Sequence, residues 1–273
     1  MISADYIRID GADAYVERWG SGRPVLCIHT AGQSGVQWRY AAPELARLGY
    51  MAIVPDLPGH GRSDPAQGGP VTDLCRYTAF CAALIDALGL ERPFVTGCSI
   101  GGKITLDLAI NHGHRLSAAV AMAADAGLAP QRGAAMAAGL RRELEDSAAP
   151  SRSERTYLGT HAVVGQAVPR ERAEMIALMH RREDPLVSIS DLIGWAGFDR
   201  WSRLDAVACP IHLAVGADDL WVDSAAVRRT VERIPGGRFT LLNGIGHYPM
   251  EEVPDIAVRL DAWFTEMTED RAI

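Results

Sequence analysis

Nowhere in this 273-residue sequence do about 18 apolar residues follow one another, the length a helix needs to cross a bilayer, so no membrane partner is expected. The opening Met1-Ile2-Ser3-Ala4-Asp5 lacks the basic stretch and apolar core of an export signal. Positive charge is not in excess: 27 basic against 34 acidic side chains give a formal charge of −7, without a long run of either sign. That balance argues against a nucleic-acid partner. Cysteines are few and odd in number, Cys27, Cys75, Cys81, Cys98 and Cys209, and none has metal-ligand spacing. A reduced, cytoplasmic protein is expected. His112, His114, His161, His180 and His212 share no spacing with carboxylates or cysteines that suggests a metal site. No internal repeat is evident. What remains is ordinary for a soluble globular protein: 48% apolar residues, a mean hydropathy of +0.01 and enough chain for a large core.

Tyr6–Ile9 and Ala14–Arg18 predict a pair of strands joined by a turn at Asp10-Gly11. Apolar runs at Pro24–Ile28, Met51–Val54, Phe94–Gly97, Ala118–Met122, Ile211–Val215 and Phe239–Leu242 then read as buried strands. With helical patterns between them they imply an α/β fold around a mostly parallel sheet. Leu74, Tyr77, Cys81, Leu84 and Leu88 form one helical face that should pack on that sheet. From 126 to 206 the pattern changes to alanine- and arginine-rich helices, with breaks at Ala149-Pro150 and Val168-Pro169. A helical cap inserted after strand six is expected there, the core domain being 1–125 and 207–273.

Gly97-Cys98-Ser99-Ile100-Gly101 fits G-x-S-x-G between a strand pattern and a helical one carrying Ile104, Leu106, Leu108, Ala109 and Ile110. Such a corner presents a serine in a strained turn, with glycines where the chain packs closely and a helix N-terminus where negative charge would develop. A serine hydroxyl needs a base. His247 follows the Phe239–Leu242 strand in a glycine-rich loop, and Asp218-Asp219 follow the Ile211–Val215 strand. The chain order is therefore Ser, Asp, His.

These motifs, with Cys27-Ile28-His29-Thr30-Ala31-Gly32 and Asp56-Leu57-Pro58-Gly59-His60-Gly61-Arg62-Ser63, resemble those of the α/β-hydrolase fold superfamily, of the group with small carboxylesterases, lactonases, haloperoxidase-like enzymes and meta-cleavage product hydrolases. The resemblance covers nearly the whole chain. It implies an eight-stranded sheet, a Ser99–His247–Asp219 triad, an oxyanion hole from the Ala31 and Ile100 N–H groups, a small-molecule substrate and no cofactor. Thr30 stands where a glycine is usual, a departure that touches the conformation of the oxyanion loop.

Simpler uses compete at several positions. Ser99 could be a helix cap and His247 a loop histidine. Asp218 is expected to cap the turn or the next helix, and Asp125, at the end of strand six, is an alternative acid. Cys98 should point into the fold as a small hydrophobe, and Lys103 should be partly exposed on a buried stem. His29, His60, Asp56 and Arg62 are expected to support the site rather than perform chemistry. Thr30 and Tyr248 are pocket candidates, and Trp195, Phe198 and Trp201 divide between pocket wall and core. The expected chemistry is acyl transfer from an ester or lactone to water. Carbon–carbon cleavage of a vinylogous diketone is the alternative within hydrolases, although Cys98 and Tyr248 stand where the resembling enzymes commonly carry asparagine and tryptophan. Ligand binding without turnover is the alternative outside enzymes.

Overall fold

The computed structural model describes residues 2–145 and 152–269. Strands β1 (Ile2–Ile9) and β2 (Ala12–Gly20) form the opening hairpin. β3 (Arg23–Ile28), β4 (Tyr50–Pro55), β5 (Phe94–Cys98), β6 (Ala119–Met122), β7 (Ile211–Gly216) and β8 (Arg238–Leu242) complete one eight-stranded sheet in the order β1-β2-β4-β3-β5-β6-β7-β8. β1 and β2 pair antiparallel, as do β2 and β4; every pairing from β4 to β8 is parallel. Parallel neighbours require crossovers. Helices α1 (Ala41–Arg47), α2 (Leu74–Ala87) and α3 (Ile100–His112) supply the first of them.

Four helices, α4 (Pro130–Glu145), α5 (Arg152–Val163), α6 (Arg170–His180) and α7 (Pro185–Gly197), lie between β6 and β7. The expected break at Val168-Pro169 separates α5 from α6; the one at Ala149-Pro150 lies outside the described residues. The insertion has a narrow neck. Gly127 and Asp199 form an antiparallel bridge, and the Arg200 N–H donates to the Ala126 carbonyl at 2.7 Å. Helices α8 (Ser224–Glu232), α9 (Pro249–Glu252) and α10 (Ile256–Glu269) finish the chain.

Alternation along the strands sorts the core into two halves. Leu26 and Ile28 face the cluster under α2, α3 and α8, whereas Val25 and Cys27 face the cluster under α1 and α10. All four are fully buried, as both faces of a parallel sheet demand. Truncating a residue such as Ile28 to Ala should cost about 2–5 kcal/mol. Among the described residues no helix is long and apolar enough to cross a membrane.

The parallel register brings Ile28 beside Gly97 and Cys98 beside Met122, so the strands end along one edge. The loops that leave that edge carry the candidate residues.

Candidate active site

Ser99 stands between β5 and α3 at φ 57° and ψ −116°. A non-glycine residue there is strained by roughly 1–3 kcal/mol. Close packing holds the corner shut: a Cβ on Gly97 would lie 2.3 Å from the Gly101 carbonyl oxygen, and one on Gly101 2.5 Å from that of Ile28. The Ser99 N–H is committed to the Met122 carbonyl at 3.0 Å. Its side chain caps no helix. Next to it, the buried Cys98 thiol donates to the His247 carbonyl at 3.2 Å, which ties the histidine loop to the corner. Burial pushes that thiol well above its ordinary pKa, so it stays neutral.

His247 Nδ1 lies 2.8 Å from Asp219 Oδ2. The other carboxylate oxygen accepts the N–H groups of Trp221 at 2.8 Å and Val222 at 3.0 Å. With Nδ1–H committed to a carboxylate, Nε2 carries the lone pair and can accept a proton. The loop itself is shaped by Glu252, almost fully buried, whose carboxylate accepts from Gly246 N at 2.5 Å, Tyr248 N at 2.9 Å and Gly165 N at 3.0 Å. Burial raises the pKa of that carboxyl group.

The loop after β3 leaves one backbone donor unpaired among the described residues. Thr30 N–H donates to Gln37 Oε1 at 2.8 Å and Gly32 N–H to Asp191 Oδ2 at 2.8 Å. Between them, the Ala31 N–H has no hydrogen bond among the described residues. Ile100 opens α3, so its N–H has no partner within the helix. His29 fixes the loop from below, Nδ1 donating to the Thr30 carbonyl at 2.8 Å and Nε2 accepting from Leu57 N–H at 2.9 Å. Both bonds suit a neutral ring, and burial pushes its pKa down to about 4. Thr30, in place of glycine, adds a second hydrogen bond to Gln37 Oε1 at 3.0 Å.

A strained serine at a strand–helix corner, a histidine–carboxylate pair and two available N–H groups thus meet at one edge of the sheet. A sequence model of the α/β-hydrolase fold matches residues 23–161, just over half of the chain. The chain belongs to the α/β-hydrolase fold family. A non-heme haloperoxidase of Rhodococcus erythropolis is 36% identical over 104 residues, which are 38% of this chain and 37% of that protein. The aligned part therefore spans little more than a third of that relative's length. Among solved structures, a thermophilic esterase from Thermogutta terrifontis superposes with a TM-score of 0.82 at 22% identity, covering 98% of this chain and 99% of that one. The enol-lactonase from Burkholderia xenovorans LB400 gives 0.78 at 19% identity, with 98% and 100% covered. Likeness at such identities concerns the fold.

Other parts of this α/β-hydrolase differ from the sequence expectations. Lys103 is not partly exposed: its ammonium is fully buried, 2.6 Å from Asp125 Oδ1 and 3.0 Å from the Asp125 carbonyl, with the rings of Trp195 and Phe198 each 4.8 Å away. An ammonium surrounded by a carboxylate and two aromatic faces can afford burial that a lone one cannot. Burial still lowers its pKa, against the pull of Asp125. Asp125 thus faces Lys103, while Asp219 faces His247. Asp218 does not cap the next helix, since Asp223 does so through Ala225 N–H; its carboxylate accepts the Gln166 N–H at 2.8 Å. Arg62 pairs with Asp56 and Glu17, as a supporting residue should.

Of the aromatic candidates, Tyr248 is buried beside His247, with ring centroids 5.0 Å apart. Trp195 and Phe198 surround Lys103. Trp201 donates its indole N–H to the Gly127 carbonyl at 2.9 Å. The ring that covers His247 from outside is Trp221, edge-on at 4.9 Å and 45% exposed. Sequence reasoning missed it, although its place two residues after Asp219 was a usable signal.

A second buried cluster joins the insertion to the core. His180 Nδ1 is 2.6 Å from Glu183 Oε1, and Nε2 is 3.8 Å from Glu251 Oε2. Burial opposes charge on this ring, but the two carboxylates prevail and raise its pKa to about 9. Gln37 Nε2 donates to Glu251 at 2.9 Å and also lies 3.3 Å from His180 Nε2. With the ring protonated, that last approach is a contact between two donors. Among the described residues, no group of three or more His, Cys, Asp or Glu side chains could hold a metal ion.

Proposed function

We propose that this chain is a serine hydrolase acting on a small or medium carboxylic ester or lactone. The observation that carries the reading is Ser99 at positive φ, next to the Cys98 thiol that bonds the His247 carbonyl, with His247 paired to Asp219 and with the Ala31 and Ile100 N–H groups free of partners among the described residues. In this reading His247 takes the Ser99 proton as the hydroxyl attacks the carbonyl carbon, and Asp219 orients the imidazole and stabilises its charged form. The two N–H groups receive the oxyanion. The protonated His247 then gives its proton to the leaving alcohol, and water activated by the same ring releases the acid from Ser99.

Helices α4 to α7 act as the cap in this reading, within the segment 126–206. They leave Ser99 only 5% and His247 3% exposed, which favours compact substrates over polymers or large lipids. Thr30, Tyr248 and Trp221 are the pocket residues that the geometry favours. The fold that this chain shares with an esterase and an enol-lactonase is one that accommodates both substrate classes. A cytoplasmic location accompanies the proposal, supported by five free cysteines.

Short p-nitrophenyl esters, lactones and a ring-fission dienoate, each assayed beside Ser99→Ala, test the reading. Ester or lactone turnover that falls by about 10⁴-fold in the variant supports it. A phosphonate adduct on any residue other than Ser99 refutes it. Exclusive cleavage of the dienoate would transfer the same triad to carbon–carbon hydrolysis.

A further inference from the structure

We propose that Asp191, on α7 of the insertion, is a positioning residue for the oxyanion hole, so that the cap helps to assemble this part of the catalytic site as well as covering it. The inference rests on the serine-hydrolase reading of Ser99 and Ala31.

The loop after β3 is held from two sides. The core fixes Thr30 through Gln37 and His29. The insertion fixes the next residues: Asp191 Oδ2 takes the Gly32 N–H at 2.8 Å, and the Gln33 side-chain amide donates to Glu183 Oε1 at 3.1 Å and to the Met179 carbonyl at 3.3 Å. Ala31 lies where the two sets of restraints meet. Its N–H belongs to the peptide plane between Thr30 and Ala31, and the next plane is set by the bond from Gly32. Gly32 has φ +66°, and a Cβ there would lie 2.7 Å from the Glu183 carboxyl and 2.8 Å from Ser188 Cβ. Only glycine fits between loop and cap at this point.

Asp191 is itself rigidly held. It is fully buried; Oδ2 also faces His60 Nε2 at 2.7 Å, and Oδ1 accepts from the Tyr77 hydroxyl at 2.7 Å. The other His60 nitrogen lies 3.2 Å from the Pro58 carbonyl. Both ring nitrogens therefore face acceptors, the arrangement of an imidazolium. Burial opposes that charge, but Asp191 outweighs it and raises the pKa. A buried ion pair is poor value as a source of stability, since apolar residues of similar volume do as well. What it supplies is direction. Three donors from α2, the loop after β4 and the loop after β3 converge on one carboxylate carried by the cap.

The test uses full-length protein, p-nitrophenyl acetate, active-site titration with a phosphonate, and benzeneboronic acid, whose serine adduct places an oxygen in the oxyanion hole. Asp191→Ala should lower kcat per titrated site by about 10- to 100-fold with little change in KM, and weaken the boronic acid by a similar factor. Asp191→Asn keeps an acceptor for Gly32 and should recover most of both losses. Tyr77→Phe removes one of the three donors that orient the carboxylate but spares the bond to Gly32, so it should lower both by less than Asp191→Ala does. A folded Asp191→Ala protein with a lower Tm but unchanged kcat and boronic acid affinity would overturn the inference, leaving Asp191 as a latch. If that variant does not fold, His60→Gln carries the test: kcat and boronic acid affinity should fall together, and no change in either overturns it. Wild-type protein that binds neither the boronic acid nor the phosphonate would instead bring down the serine-hydrolase reading, and this inference with it.

Discussion

Asp125→Asn should make the protein easier to unfold without slowing the molecules that remain folded. Lys103, the sole lysine in the sequence, has its ammonium fully enclosed, and the Asp125 side chain is its ion-pair partner at 2.6 Å. Removing one member of a buried pair costs about 3–5 kcal/mol. An independent limit agrees: shedding the proton of an ordinary lysine at pH 7 costs roughly 4–5 kcal/mol, at 1.36 kcal/mol for each unit below its reference pKa. The Asp125 carbonyl and the two aromatic faces remain as partners and hold the loss toward the lower end. At about 2–4 °C per kcal/mol for a chain of this size, Tm should fall by roughly 6–15 °C. The deficit should shrink as pH rises, because the orphaned amine then need not be charged. Urea unfolding followed by tryptophan fluorescence gives the free energy, and turnover per titrated site gives kcat. Lys103→Met should be costly as well, whereas Lys103→Met with Asp125→Asn should cost less than either alone. A loss below about 1 kcal/mol in Asp125→Asn would refute the account of the pair. An undiminished Tm with kcat down by roughly 10³-fold would make Asp125 the triad acid instead.

Three further outcomes are expected. Asp219→Asn should lower kcat by about 10³- to 10⁴-fold in steady-state ester hydrolysis, and Asp218→Asn, which loses a bond to Gln166, should be mild by comparison. His180 has a folded pKa raised to about 9, so its contribution to stability should be complete below about pH 6.5 and disappear as pH rises through 9; in urea titrations across that range, His180→Gln should flatten the fall seen in the wild type. Trp221→Ala should admit bulkier acyl groups, read as a rise in the ratio of kcat/KM for p-nitrophenyl octanoate to that for the acetate, and an unchanged ratio would remove Trp221 from the pocket wall.

The parts legible in the sequence depend on near neighbours. A strand shows as an apolar run, and the serine corner needs glycines within three residues of Ser99. Asp219 is preferred to Asp218 through the family resemblance, which implies it as the triad acid. The burial of Lys103 is not legible locally, because nothing beside it announces Asp125, 22 positions on, or Trp195 and Phe198 across the insertion. Asp191 and Glu252 are hard to see for the same reason, since each accepts a backbone N–H from a loop far away in the chain. A signal was present in both cases. Asp191 is the one charged residue in Leu186–Ile193, and Glu251-Glu252 follow directly on Tyr248-Pro249-Met250.

The backbone at Ser99 sets thermal endurance against usefulness. At φ 57° and ψ −116° a glycine would be at ease, so Ser99→Gly should relieve strain while removing the hydroxyl on which the proposed chemistry depends. A laboratory selection that rewards heat tolerance alone would therefore favour discarding the side chain. The same library must be challenged for turnover in every round, or its most durable members will be inert.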